Sequence, residues 1–156
     1  MTKTTKVVNN LFMNIPMTIV FCWFVQQLAI WSGAAPAFDW KSFFLNLPIG
    51  YVTGFFIGLI FPSVPWGMRF ASACGAKEGS WKYNALVNLI VNTVNTTALI
   101  IVMTYVNVCL FGHAPLQALI PGILDCYVPV WIVAYFVSYF TKPICLKLAQ
   151  KCMKAI

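Results

Sequence analysis

Four long stretches without a charged residue constrain this chain more than anything else in it. Residues 7–38, 42–68, 83–124 and 126–141 contain no Lys, Arg, Asp or Glu. A bilayer core about 30 Å thick takes roughly 20 apolar residues per helix, and each stretch except the last exceeds that length. If the chain crosses a membrane four times, Lys3, Lys6, Arg69, Lys77, Lys82, Lys142, Lys147, Lys151 and Lys154 share one face, and Lys41 stands alone on the other. Basic loops stay in the cytoplasm, so both termini are expected there. The sequence therefore predicts an all-α integral membrane protein of four transmembrane helices, N-in and C-in. It forms a single membrane domain over residues 1–156, set in the cell's inner (cytoplasmic) membrane with the lipid bilayer as its first partner.

Composition excludes several classes. Hydrophobic residues make up 61% of the chain and charged ones 8%, which leaves no room for a soluble domain. The net charge of +7 does not point to nucleic acid, because the basic residues flank helix ends and form no stripe interleaved with aromatics. Cys22, Cys74, Cys109, Cys126, Cys145 and Cys152 show no C-x-x-C pair, and the single His113 completes no zinc spacing. No metal and no cofactor are expected. Paired carboxylates, H-E-x-x-H, G-x-S-x-G and a phosphate loop are all missing, so the chain is not read as an enzyme. Residues 1–37 imitate a signal peptide, with Lys3 and Lys6 before an apolar run and Ala35-Pro36-Ala37 after it. That run is too long for one and carries Gln26 and Gln27, so a retained helix is expected.

Breakers divide the chain into helices over about 12–31, 46–64, 83–110 and 116–140, with a polar loop over 66–82. The two halves carry matching motifs. At a constant offset, Asn10, Asn14 and Thr18 match Asn88, Asn92 and Thr96, and Pro65, Arg69, Ala71 and Cys74 match Pro143, Lys147, Ala149 and Cys152. Such register predicts two tandem hairpin repeats, about 8–74 and 86–152, related by an axis along the membrane normal.

With Pro65, Met68, Arg69, Phe70 and Ala71 in one half and Pro143, Leu146, Lys147, Leu148 and Ala149 in the other, the chain resembles an uncharacterised family of small bacterial membrane proteins, classed as a domain of unknown function. In that family a two-helix unit ends in a proline followed by a basic cluster, and many members carry two units. The resemblance covers nearly the whole chain. It implies a bacterial inner membrane and a four-helix fold, and it implies no activity. Val64 and Lys142 stand where the family often has a glycine before the proline.

Three constellations are candidates for function. Gly50, Gly54 and Gly58, four apart, line one helix face and let another backbone approach closely. They read either as packing within the chain or as a self-association face. Asn84, Asn88, Asn92 and Asn95 fall within roughly one quadrant at about 100° per residue. With Asn10, Asn14 and Thr18 on the first helix they could line a polar pocket open to the cytoplasm, or simply bond helix to helix. Asp125, between Pro121 and Pro129, is the one carboxyl expected deep in a span, where a charge costs on the order of 3 kcal/mol. It reads as a coupling group with a raised pKa, or as a protonated acid bonded to an amide such as Asn95. The tail from Lys142 is expected on the inner membrane surface, with Lys147, Lys151 and Lys154 on one face.

Two functions fit: a small oligomeric permease or exchanger for a proton, cation or amine, or a non-transporting module that steadies a partner protein. The first makes a homo-oligomer expected; the sequence does not name the small-molecule ligand.

Overall fold

The computed structural model describes residues 3–154; the side chains of Lys3 and Lys154, two of the nine basic groups placed on one face, lie outside the described residues. Helix α1 spans Lys3–Trp31, α2 Trp40–Ile60, α3 Ser63–Ala73 and α4 Trp81–Thr104. A π-helical stretch, Tyr105–Phe111, prolongs α4, and a short 3-10 turn, Leu116–Ala118, leads into α5, Leu119–Lys154. Four of these helical runs are long and apolar enough to cross a membrane, the build of a multi-pass membrane protein. Trp31 and Trp40 stand exposed at one end of the bundle and Trp66 and Trp81 at the other, as interfacial aromatics do.

Local chemistry explains the helix ends. Asp39 caps α2, its carboxylate accepting from Lys41 N–H at 3.0 Å, and Ser80 caps α4, its hydroxyl accepting from Tyr83 N–H at 3.1 Å. Each satisfies an amide that has no partner within its helix. Helix α2 ends earlier than expected, at Ile60, because Pro62 forces the preceding Phe61 into extended backbone (φ −87°, ψ 125°). Pro65, the expected stop, instead sits in the first turn of α3, where its missing N–H costs nothing. The expected loop over 66–82 is therefore half helix. Gly67 makes that possible: a Cβ there would lie 2.7 Å from the carbonyl oxygen of Val87, so only glycine lets α3 lie this close to α4.

Two further expectations are corrected at the opposite ends of the sequence. Helix α1 begins at Lys3, well before residue 12, and α5 runs unbroken through Pro129 and Pro143 to Lys154. The tail is thus no separate surface helix. Both extensions have the same cause: the end of α5 packs along the start of α1. Thr141 reaches Met13 Sδ at 3.9 Å, and in that antiparallel register Cys145 and Ala149, both buried, fall level with the first turns of α1. Local propensity is weak beside such packing.

The four long helices form a ring in the order α1, α2, α4, α5, each antiparallel to its neighbours, with α3 against the start of α4. Phe21, Cys22, Phe43, Ile57, Leu99, Ile100, Met103 and Val130 form the shared core. The start of α1, the end of α5 and α3 lie at one end, the terminal end; residues 32–39 and 112–118 lie at the other, the connection end. Helix α4 is the most enclosed, with 39% of its apolar window buried, against 11% for α5. The uncovered side of α5 is Ile120, Leu124, Val128, Ile132, Phe136, Phe140, Ile144 and Leu148, a surface suited to lipid.

Candidate functional site: a polar cavity at the connection end

The glycine stripe of α2 meets α1 of the same chain. Cβ atoms at Gly50, Gly54 and Gly58 would lie 3.0 Å from Thr18 Cγ2, 2.3 Å from Asn14 Oδ1 and 2.5 Å from Asn10 Oδ1. The stripe is therefore occupied within the hairpin and offers no free self-association face. Asn10 donates to the Phe55 carbonyl at 2.9 Å, and Asn14 donates to Asn10 Oδ1 at 2.9 Å.

The α4 amides turn to α5. Asn88 donates to Tyr135 O and exchanges hydrogen bonds with the Ser138 hydroxyl; Asn92 donates to Trp131 O and accepts from Thr96. Asn88 and Asn92 are buried, whereas Asn84 is exposed. Asn95 is partly buried, and its Oδ1 has no hydrogen-bond partner. The two amide stripes thus do not face each other across a shared pocket. Asn10 and Asn14 in one and Asn88 and Asn92 in the other bond within their own hairpin, because an amide between apolar helices takes the nearest free lone pair of a carbonyl.

Asp125 also departs from expectation. It is exposed on the outer side of α5, and it neither bonds Asn95 nor joins any other predicted site residue. The heptad-like run of exposed side chains shows why: Leu124 and Val128 point away from the bundle, and Asp125 follows Leu124 around the helix.

The polar feature that sequence reasoning missed lies between α1, α2 and α4 at the connection end. A cavity of about 300 Å³ is lined by Gln26, Asp39, Ser42, Asn46 and Asn107, with Phe21, Cys22 and Met103 among the residues below them. Gln26 clamps the backbone of Asp39, donating to its carbonyl and accepting from its N–H, both at 2.9 Å. That double bond holds the 32–39 connection over α1. Asn46 and Asn107 pair reciprocally at 2.9 and 3.0 Å. Each also donates to the carbonyl one turn back, Ser42 O at 3.0 Å and Met103 O at 2.8 Å. This pair ties α2 to the π-helical stretch, a backbone form that recurs at functional positions.

Asp39 supplies the charge of the cavity. Its carboxylate accepts from the Ser42 hydroxyl and from Lys41 N–H. The hydroxyl and N–H of Ser42, followed by the N–H and charge of Lys41, outweigh burial and hold the carboxyl below its ordinary range. It is ionised at neutral pH. No basic side chain lines the cavity, so the arrangement offers one negative charge and several neutral oxygens to a small cation or amine. Among the described residues no three His, Cys, Asp or Glu side chains gather as a metal cluster. The signals that could have found the site were Asn46 and Asn107, polar residues near the same end of two different spans. Searches of family models, curated proteins and solved structures give no match to this chain.

Proposed function

We propose that this chain is a small inner-membrane protein, both termini in the cytoplasm, that admits a small cation or amine from the outer side and passes it inward. The connection-end cavity carries the reading: an ionised carboxylate, four neutral polar side chains and no basic lining group. Below it Ile57, Leu99, Ile100 and Val130 close the bundle, so passage requires helices to part. Four long helices leave little room for an enclosed path, which favours a working unit of two or more copies. Asp125, on the outer surface of α5, has no part in this proposal.

A tandem duplication is the second element of the reading, and the hydrogen bonds support it. Asn10 to Phe55 O in the first hairpin has its counterpart in Asn88 to Tyr135 O in the second. The donors are 78 residues apart and the acceptors 80. On that spacing Gly50, Gly54 and Gly58 correspond to Val130, Ala134 and Ser138. The offset returns to 78 at Pro65 and Pro143, so the first repeat holds two extra residues just where Phe61 and Pro62 break α2 from α3. The second repeat lacks them, and its helix runs on.

Uptake of labelled methylammonium into proteoliposomes tests the function. Asp39→Asn should lower apparent affinity about ten- to a hundredfold, the worth of a charge-assisted hydrogen bond. Asp39-dependent binding without uptake would instead make the chain a non-transporting module. Reporter fusions after Thr4, within Gly75–Ser80 and after Ile156 should all read as cytoplasmic, and one at Gly112 as external; a reversed pattern overturns the orientation.

A further inference from the structure

Beneath the polar ring the cavity is floored by two sulfur-bearing side chains, Cys22 of α1 and Met103 of α4. Cys22 and Met103 both line the cavity and are 5% and 4% exposed. Both side chains reach the space beside Gly50, where a Cβ would lie 3.8 Å from Cys22 Sγ and 3.7 Å from the Met103 methyl carbon Cε. Cys126, on α5, donates its thiol to Gly122 O at 3.3 Å, the usual way a helical thiol is satisfied. The Cys22 thiol makes no hydrogen bond, although it is buried and borders a cavity. On the spacing of the two halves, Cys22 corresponds to Ile100 and Gly50 to Val130, which fill the same space with hydrocarbon. The first hairpin has thus given up bulk where it gains sulfur.

We infer that the cavity floor binds a soft monovalent metal cation between the thiolate of Cys22 and the thioether of Met103. This rests on the reading of the cavity as a cation site and names the cation's class. Thiolate and thioether together select Cu(I)-type ions over hard cations, which prefer oxygen. Charge points the same way. On binding, the sulfur–metal bond replaces the sulfur–hydrogen bond, the proton leaves to water in the cavity, and no electron is transferred. A monovalent ion exchanged for a proton leaves the net charge of the site unchanged, so no unpaired charge is buried at bilayer depth; a divalent ion would leave one. Asp39 at the mouth is the titratable group above the sulfurs; the cavity-lining side chains that α2 and α4 turn toward them are Ser42, Asn46 and Asn107, and none of these titrates.

The test uses the full chain in lipid nanodiscs without oxygen, titrated with Ag(I) as a redox-silent probe against a competing thioether chelator that strips weakly held metal. Because Ag(I) takes any accessible thiol, the titration is made in a Cys74→Ser, Cys109→Ser, Cys152→Ser background, where the expected result is one tightly held ion and one proton released per chain. Cys22→Ser and Met103→Leu should each weaken binding at least about tenfold, since even the loss of a hydrogen bond to a ligand costs that much. Cys126→Ser, at a satisfied thiol, should bind as the parent does. Melting temperature checks each variant, and Met to Leu conserves core volume. Parent-like binding in both Cys22→Ser and Met103→Leu overturns the sulfur site, as does equal loss in Cys126→Ser. Methylammonium uptake separates the two proposals. Asp39-dependent uptake without Cys22-dependent Ag(I) binding leaves the cavity reading standing and ends this one. Cys22-dependent Ag(I) binding without amine uptake does the reverse.

Discussion

The two hairpins solve one packing problem with different residues. In α1–α2 the amides of Asn10 and Asn14 press against glycines, and the hydrogens in place of Cβ at Gly54 and Gly58 face their oxygens, as in weak C–H···O contacts. In α4–α5 the amide of Asn88 meets a serine instead, and Ser138 bonds it directly at 3.0 and 3.2 Å. The first hairpin gains close backbone approach; the second gains a satisfied polar pair. The difference matters nearer the connection end. There Cys22, beside Gly50, borders the cavity, whereas Ile100 and Val130 are buried in the core.

The strongest way to break this comparison is to add bulk to the glycine face. Gly54→Leu places a Cβ 2.3 Å from Asn14 Oδ1 and should cost about 3 kcal/mol, the upper range for overpacking. Thermal unfolding in detergent should show the loss. Val52→Leu, at an exposed position on the same helix, is the control and should be nearly neutral. Ile57, off the glycine stripe, does not serve, because it is buried in the core. Equal melting of Gly54→Leu and Val52→Leu would remove the close α1–α2 contact.

A smaller effect sharpens the second hairpin. Asn88→Leu removes the bonds to Tyr135 O and Ser138 and should cost about 1–2 kcal/mol, the upper range for interhelical hydrogen bonds in membranes. Asn10→Leu removes the bond to Phe55 O and the one accepted from Asn14, whose amide keeps its bond to the Asn10 carbonyl, and should cost less than Asn88→Leu if the first hairpin rests on packing. A larger loss for Asn10→Leu would reverse the contrast.

The smallest effect on stability is predicted for Asp39. Its folded pKa is lowered, so the stabilisation from its cap is present above the unfolded carboxylate pKa of about 4. It is lost as pH falls through the lower folded value. Melting temperature should therefore decline on acidification below about pH 4 in the parent and decline less in Asp39→Asn, whose amide oxygen still caps α2. Identical acid profiles would show that the carboxylate contributes nothing to the connection end.

Much of the fold was legible because a membrane leaves the backbone few choices. Charge-free runs of more than about 20 residues must be helices. The motifs Asn10-x-x-x-Asn14 and Asn88-x-x-x-Asn92 correctly marked faces that seek polar partners. What they could not tell was which partner, since a helical face is equally compatible with either neighbour in a ring. Asp125 shows the same limit: its depth in the span could be read from sequence, but its side of α5 depended on which stripe α5 turned to α1.

By itself, then, the sequence determined that four helical runs are long and apolar enough to cross a membrane, and that small residues and amides lie on their contact faces. These follow from local backbone chemistry and hydropathy. Tertiary structure alone decided that α3 lies against α4, that α5 continues past Pro143 onto α1, and that Gln26, Asp39, Asn46 and Asn107 surround one cavity above Cys22 and Met103. Those four polar residues come from α1, the connection, α2 and the π-helical end of α4. No spacing along a chain encodes their meeting, because it depends on helix order, tilt and the volume that Gly50 leaves unfilled.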